Sequence, residues 1–283
     1  MYQFPIGAMV DSFRLPTREA VLAAAKIGVK GLQMYATTGE NAPENLKGQM
    51  RKDLLSFVKD QGLVFSAICG DLGKAFNDRE RNVELIERSK RIMDLAVELE
   101  TDVVTTHIGV VPADKTCDRY KIMQEAAFEL AQYADSLQAH FAIETGPEIA
   151  VTLKGFLDDL GSTGVAVNLD PANFVMVTKD DPVAAVHTLK KYIVHTHAKD
   201  GINLHDCDPY EIYAEMDHGG WDKEPAFREV PLGQGSVDFA AYLKALEEIG
   251  YRGFLTIERE VGAEPSADIK LAADYLREMI ASN

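Results

Sequence analysis

Cysteine is sparse: Cys69, Cys117 and Cys207 are the only three in 283 residues, an odd number without close metal-ligand spacing. Neither a disulfide framework nor a zinc ribbon is suggested, and a reducing cytoplasm fits best. No run of about 18 apolar residues occurs, and the opening MYQFPIGAMVDSF lacks a basic region followed by a long apolar stretch. The sequence therefore predicts neither a membrane span nor a secretory leader. Positive charge is also scarce, with 29 Lys and Arg against 45 Asp and Glu, a formal net charge of −16. Such a field repels phosphate backbones and anionic membranes, and no basic run provides a local exception. Nucleic acid and membrane are not expected partners. A G-x-G-x-x-G loop is missing near the first strand, which argues against a doubly wound dinucleotide fold.

What is present is apolar material, 46% of the chain, arranged in a regular alternation. Short β-branched segments recur between longer stretches of helical periodicity, the pattern of parallel βαβ units. Eight strands are predicted: Phe4–Met9, Gly31–Met34, Val64–Cys69, Val103–His107, His140–Glu144, Val165–Asp170, Tyr192–His197 and Phe254–Glu258. Eight strands favour closure into an α/β (β/α)8 barrel, which routinely uses about 250 residues as a single domain. The expected domain therefore spans residues 1–283. Thr17-Arg-Glu reads as a helix start capped by the threonine. Gly28, Gly62 and Gly250 read as left-handed exits that turn the chain toward the next strand. Residues 200–236 break the rhythm, with His205, Asp206, Cys207, Asp208, His218, Gly219, Gly220 and Trp221 among weak helical periodicity. A segment of this length after a strand reads as a long loop over the active-site face, with a surface insertion or subunit contact as the alternative.

In a closed barrel the active site is built at the C-terminal ends of the strands. The last four barrel strands end AHFAIET, VAVNLDPAN, YIVHTHAKD and GFLTIERE, each closing on a residue able to bind a metal: Glu144, Asp170, His197 and Glu258. Singly, each has an ordinary explanation as a cap, turn former, salt-bridge partner or core histidine. Together they point to one divalent cation, because neighbouring buried carboxylates resist simultaneous ionisation without a compensating charge. Three oxygen donors and one imidazole suit Mn²⁺ or Mg²⁺, and Zn²⁺ and Co²⁺ are also allowed.

The segments I-E-T, N-L-D-P-A-N, H-T-H-A-K-D, V-P-L-G-Q-G-S-V-D-F and T-I-E-R-E resemble the xylose isomerase-like, or sugar phosphate isomerase/epimerase, superfamily of barrels. The resemblance implies the same four ligands, and a catalytic role for Glu144 and Glu258. In the ketose 3-epimerases that the chain resembles, two such glutamates flank one carbon; one removes a proton to give an enediolate and the other returns it. The glutamates could instead serve only as ligands. His107, at the same mouth, reads as a hydrogen-bond partner for a sugar hydroxyl. Lys199, on the same side of the strand as His197, could bind a carboxylate, phosphate or substrate oxygen, or pair with Asp200. Asn173 stands where ketose epimerases carry a substrate-binding histidine, and Asn203 where they carry an arginine, so the resemblance stops short of that one activity. Cys69 reads as a small core residue, and Trp221 as packing or as a cover for a sugar ring.

The leading expectation is a metal-dependent carbohydrate isomerase or epimerase acting on a sugar or cyclitol, with an inosose dehydratase-like or keto-glycoside lyase as the alternative. Endonuclease IV-like repair is opposed by the acidic charge and by Cys69 and Asn173, which stand where that enzyme has zinc-binding histidines. A non-catalytic subunit is opposed by the intact ligand set. An unphosphorylated substrate is favoured because Lys199 is the one evident phosphate-binding candidate. A homo-oligomer is left open.

Overall fold

A computed structural model describes residues 2–213 and 224–282. The predicted His218, Gly219, Gly220 and Trp221 lie outside the described residues. Ten strands are described: β1 Ile6–Met9, β2 Gly31–Tyr35, β3 Val64–Cys69, β4 Val103–Thr106, β5 His140–Glu144, β6 Val165–Leu169, β7 Ile193–Ala198, β8 Asp200–Asn203, β9 Phe227–Val230 and β10 Leu255–Ile257. Eight of them close into a parallel barrel in the order β1-β10-β7-β6-β5-β4-β3-β2. All eight predicted strands are these barrel strands, with ends differing by up to two residues.

Alternation along each strand places every second side chain inside the barrel. Ala67, Val103, Ala142 and Ala166 form one buried apolar cluster, distinct from the main core between barrel and helices. Stepping two residues onward from Val103, Ala142 and Ala166 reaches Thr105, Glu144 and Asn168, all buried. The barrel interior thus changes from small and apolar to polar over one step of two residues. The outer helices bury one face each; the helix Arg79–Glu98, for example, covers the barrel with Leu85, Ile92, Leu95 and Ala96.

Gly28, Gly62 and Gly250 have φ of 84°, 73° and 78°, the left-handed turns expected of them. Thr17 differs from expectation. It is the first helical residue, makes no side-chain cap, and instead donates to Glu40 Oε1 (2.8 Å) and accepts from Asn41 Nδ2 (2.9 Å). With Pro16 preceding it, the hydroxyl is one position too far along the helix to cap, and is used to tie down the loop after β2.

The described parts of residues 200–236, 200–213 and 224–236, carry regular structure where a loop is predicted. β8 and β9 form an antiparallel pair, Asp200 opposite Val230 and Asn203 opposite Phe227, and Pro209–Ile212 is a short helix. Asp200 anchors the far side: its Oδ1 accepts from Gly201 N (2.9 Å) and Val237 N (3.1 Å), and its Oδ2 from Gly233 N (3.0 Å) and Gly235 N (2.8 Å). This cradle accounts for the P-L-G-Q-G-S-V motif, since a Cβ on Gly235 would lie 2.1 Å from Asp200 Oδ1. Asp200→Ala is expected to lower stability by about 3 kcal/mol, because it leaves two buried and two partly buried N–H groups without an acceptor. Urea unfolding would show it as a lower midpoint at unchanged slope. A loss below about 1 kcal/mol would mean that water replaces the carboxylate.

Candidate metal centre

Glu144 ends β5, Asp170 follows β6, His197 lies near the end of β7 and Glu258 follows β10. Parallel strands bring these four ends to one mouth, where one donor atom from each lies within 4.8 Å of all the others. All four residues are buried. His197 Nδ1 stands 3.3 Å from Asp170 Oδ2, 3.3 Å from Glu258 Oε2 and 3.5 Å from Glu144 Oε1.

Each donor is held by its surroundings. Asp170 caps the helical turn that starts at Pro171: its Oδ1 accepts from Ala172 N (2.8 Å) and Asn173 N (3.1 Å), which leaves Oδ2 for the cluster. Asn173 Nδ2 donates to Glu144 Oε1 (3.2 Å) and to Thr145 O (3.1 Å), so this predicted substrate-binding residue also braces a donor. Lys199 is buried, and its Nζ contacts Glu258 Oε2 (2.9 Å) and Glu260 Oε2 (2.6 Å). Its partners are these two glutamates rather than Asp200, whose oxygens take backbone N–H groups. Asn203 turns away from the mouth and donates to Met176 O (2.7 Å).

The charges in the cluster depend on one another. Burial alone would raise the Glu258 carboxyl, but Lys199 and His197 outweigh it and hold the group well below the usual range. Burial alone would lower His197, but Glu258 and Glu144 hold it well above its ordinary value. In the metal-free chain the imidazolium is thus the charge at the centre of three carboxylates. That place suits one divalent cation, which all four donors could share, so the donor set passes a test of fit on its own chemistry.

A cavity of about 250 Å³ opens over the cluster, walled by Tyr35, Cys69, Asp71, His107, Tyr213 and Phe227 among others. His107 faces this cavity as expected, with its Nδ1 3.1 Å from Asp71 Oδ2. Its Nε2 is buried without a hydrogen-bond partner, 3.8 Å from Glu144 Oε1. Asp71 escaped the sequence reading although it lies two residues after Cys69, on the same face of an extended chain. Tyr213 and Phe227 come from the segment between β7 and β10, which thereby contributes to the cavity wall.

Burial pushes His107 down, but Glu144 and Asp71 outweigh it and raise its pKa from 6.5 to about 9. A raised folded-state pKa stabilises the fold fully below the unfolded value and ceases to do so as pH rises through the folded value. Metal-free protein should therefore lose about 2 kcal/mol more stability than His107→Gln between pH 6.5 and about 9. Parallel urea profiles for the two proteins over that range would contradict the pairing.

A closed parallel barrel with three carboxylates and one imidazole gathered at its C-terminal mouth defines a barrel built around a metal-capable centre. The chain belongs to the xylose isomerase-like TIM barrel family, whose profile matches residues 21–279. Three solved structures share the fold over nearly all of both chains. A xylose isomerase domain protein from Planctomyces limnophilus is 24% identical, with a TM-score of 0.79, covering 100% of this chain and 99% of its own. The 3-keto-D-glucoside 4-epimerase of E. coli is 15% identical, with a TM-score of 0.72 and coverage of 97% and 99%. A probable 3-DHS dehydratase from Bacillus anthracis is 17% identical, with a TM-score of 0.73 and coverage of 97% and 99%. At these identities the likeness is one of fold. Proteins of this fold thus include an epimerase and a probable dehydratase. Among the described residues, no helix is long and apolar enough to cross a membrane.

Proposed function

We propose that this chain is a divalent-metal-dependent isomerase or epimerase, with Mn²⁺ the first choice, acting on an unphosphorylated sugar or cyclitol that carries a carbonyl group. The observation that carries this reading is the convergence of Glu144, Asp170, His197 and Glu258 on one point beneath a cavity of sugar size. A divalent cation bound there would supply positive charge to substrate oxygens and so make the C–H beside a carbonyl more acidic.

The protein's own residues do the rest. Glu144 and Glu258 enter from different strands, and we assign to them the removal of the proton from that carbon and its return. Lys199, between Glu258 and Glu260 on the cavity wall, sets the charge around one of the pair. Asn173 holds Glu144 and Thr145 O with both hydrogens of Nδ2, and its Oδ1 can accept from a substrate hydroxyl. His107 presents Nε2 to a hydroxyl, with Asp71 fixing its ring. Tyr35, Tyr213 and Phe227 supply apolar faces, the last two from the segment between β7 and β10.

The described cavity wall carries Asp71, Glu144, Glu229, Glu258 and Glu260, no arginine, and a lysine already paired twice. A phosphate group would meet repulsion there, which supports an unphosphorylated substrate. The acidic interior likewise opposes nucleic acid.

The Asp71–His107 pair also favours a second reading, a lyase. A proton donor beside the carbon next to the reacting centre would let a hydroxyl or glycosyl group depart after the same proton removal. Incubation of the Mn²⁺-loaded protein with ketoses and keto-inositols in D2O tests both readings. Deuterium in recovered substrate together with an epimer or isomer supports the first, and loss of water or of a glycosyl group supports the second. Absence of exchange with all unphosphorylated compounds, alongside turnover of a sugar phosphate, would overturn the assigned substrate class.

A further inference from the structure

Two residues before five features of the mouth, on the same face of each strand, stands another polar side chain: Gln33 before Tyr35, Thr105 before His107, Asn168 before Asp170, His195 before His197 and Thr256 before Glu258. All five are essentially sealed from solvent, at 0–1% exposure. They form a layer between the apolar floor of the barrel and the four donors, and their hydrogen bonds have determinable directions.

One arm runs to Glu144. Its carboxylate can only accept, so the atom 3.1 Å away on Asn168 is the amide nitrogen, Nδ2. Asn168 Oδ1 then accepts from His195 Nδ1 (2.8 Å), which leaves His195 Nε2 to accept from Thr256 Oγ1 (2.9 Å). The other arm runs to His197. Gln33 Nε2 donates to Thr105 Oγ1 (2.8 Å), which turns Gln33 Oε1 to His197 Nε2 (2.9 Å). Asn168 Nδ2 lies farther from that ring nitrogen, at 3.2 Å. Gln33 Oε1 is therefore the nearer partner, and it is an acceptor.

We propose that this layer positions the metal centre: Gln33 keeps a proton on His197 Nε2 and so presents Nδ1 to the cation, while Asn168, locked by His195 and Thr256, holds Glu144 by Oε2 and leaves Oε1 toward the cavity. The inference rests on the metal-binding reading of the four donors. It deepens that reading by naming residues that touch neither cation nor substrate. Outer partners that fix a ligand's tautomer and angle are worth about 10–100-fold in metal affinity.

The test is Mn²⁺ affinity, measured by competition with a chelator on wild type, Gln33→Met and Gln33→Glu, with far-UV circular dichroism to confirm folding. Methionine keeps the length of the side chain without the acceptor, and should weaken Mn²⁺ by about 10–100-fold. Glutamate restores the acceptor and should recover most of that loss. Should Gln33→Met fail to fold, ¹⁵N NMR of the Zn²⁺-loaded wild type decides instead: a proton on His197 Nε2 and none on Nδ1 is expected, and the reverse would overturn the proposal. Wild type that binds Mn²⁺ beside a folded Gln33→Met of equal affinity would overturn the positioning role alone. Wild type that binds no cation would overturn the underlying reading as well.

Discussion

Glu144→Gln and Glu258→Gln are each expected to slow interconversion of substrate and product by about 10²–10⁴-fold at saturating Mn²⁺. The substitution keeps an oxygen donor for the cation but removes the group that exchanges a proton with carbon. If the two glutamates face opposite sides of that carbon, their losses should differ in kind. Each variant should still exchange deuterium into the epimer whose hydrogen faces the remaining glutamate, while losing exchange into the other. NMR of both epimers recovered from D2O reads this directly. Loss of exchange from both epimers in one variant alone would identify a single acid–base residue and reduce the other glutamate to a ligand. Rates within about tenfold of wild type in both would remove the pair from the chemistry.

The second large effect is on stability. A ligand that binds only the folded state stabilises it by RT ln(1 + [L]/Kd), about 2.7 kcal/mol at a hundredfold excess over Kd. For a chain of this size, that corresponds to a rise in Tm of roughly 5–10 °C. The effect should be strongly pH-dependent, because the cation must displace the proton on His197. That proton is held well above its ordinary affinity by Glu258 and Glu144 against the opposing effect of burial. The stability it gives the metal-free chain is full below pH 6.5, the unfolded value, and is lost as pH rises through the raised folded value. Cation affinity runs the other way and rises with pH, since binding releases the proton. The Mn²⁺-induced rise in Tm should therefore grow from acid toward neutral and alkaline pH. In Asp170→Ala it should be abolished at every pH, because the cluster loses a donor that also caps its own helical turn. A thermal shift of equal size in Asp170→Ala would place the cation elsewhere.

The barrel and the four donors were legible in the sequence because both follow local rules. Short β-branched strands between helical stretches announce parallel βαβ units, and a donor at the end of each of four strands must arrive at a common mouth once the barrel closes. The layer beneath was not read, although its signal was present. Asn168, His195 and Thr256 each precede a donor by two residues, and so point the same way along an extended strand. Taken singly, they resemble any polar residue in a strand, and only closure of the barrel reveals that they meet. Asp71 was missed for a related reason, since it continues the inward face of Cys69 beyond the strand's end. The β8–β9 pair joins residues more than twenty positions apart in a turn-rich segment, and neither four-residue strand shows a period strong enough to announce itself. Lys199 stands at the mouth that the sequence indicates, but its two glutamate partners were not legible there. Pairing with Asp200 was one alternative for it, whereas strand alternation turns Lys199 inward to Glu258 and commits Asp200 to the glycine-rich segment.

The central claim is that Glu144, Asp170, His197 and Glu258 hold one divalent cation, and elemental analysis tests it most directly. Purified protein would be stripped with chelator, reconstituted with Mn²⁺, freed of unbound metal and assayed for metal per chain, beside Asp170→Ala and His197→Ala. The account predicts a single ion per chain in the wild type and none retained by either variant. A metal-free wild type after reconstitution, or variants that keep the ion, would contradict it and return the four side chains to structural roles.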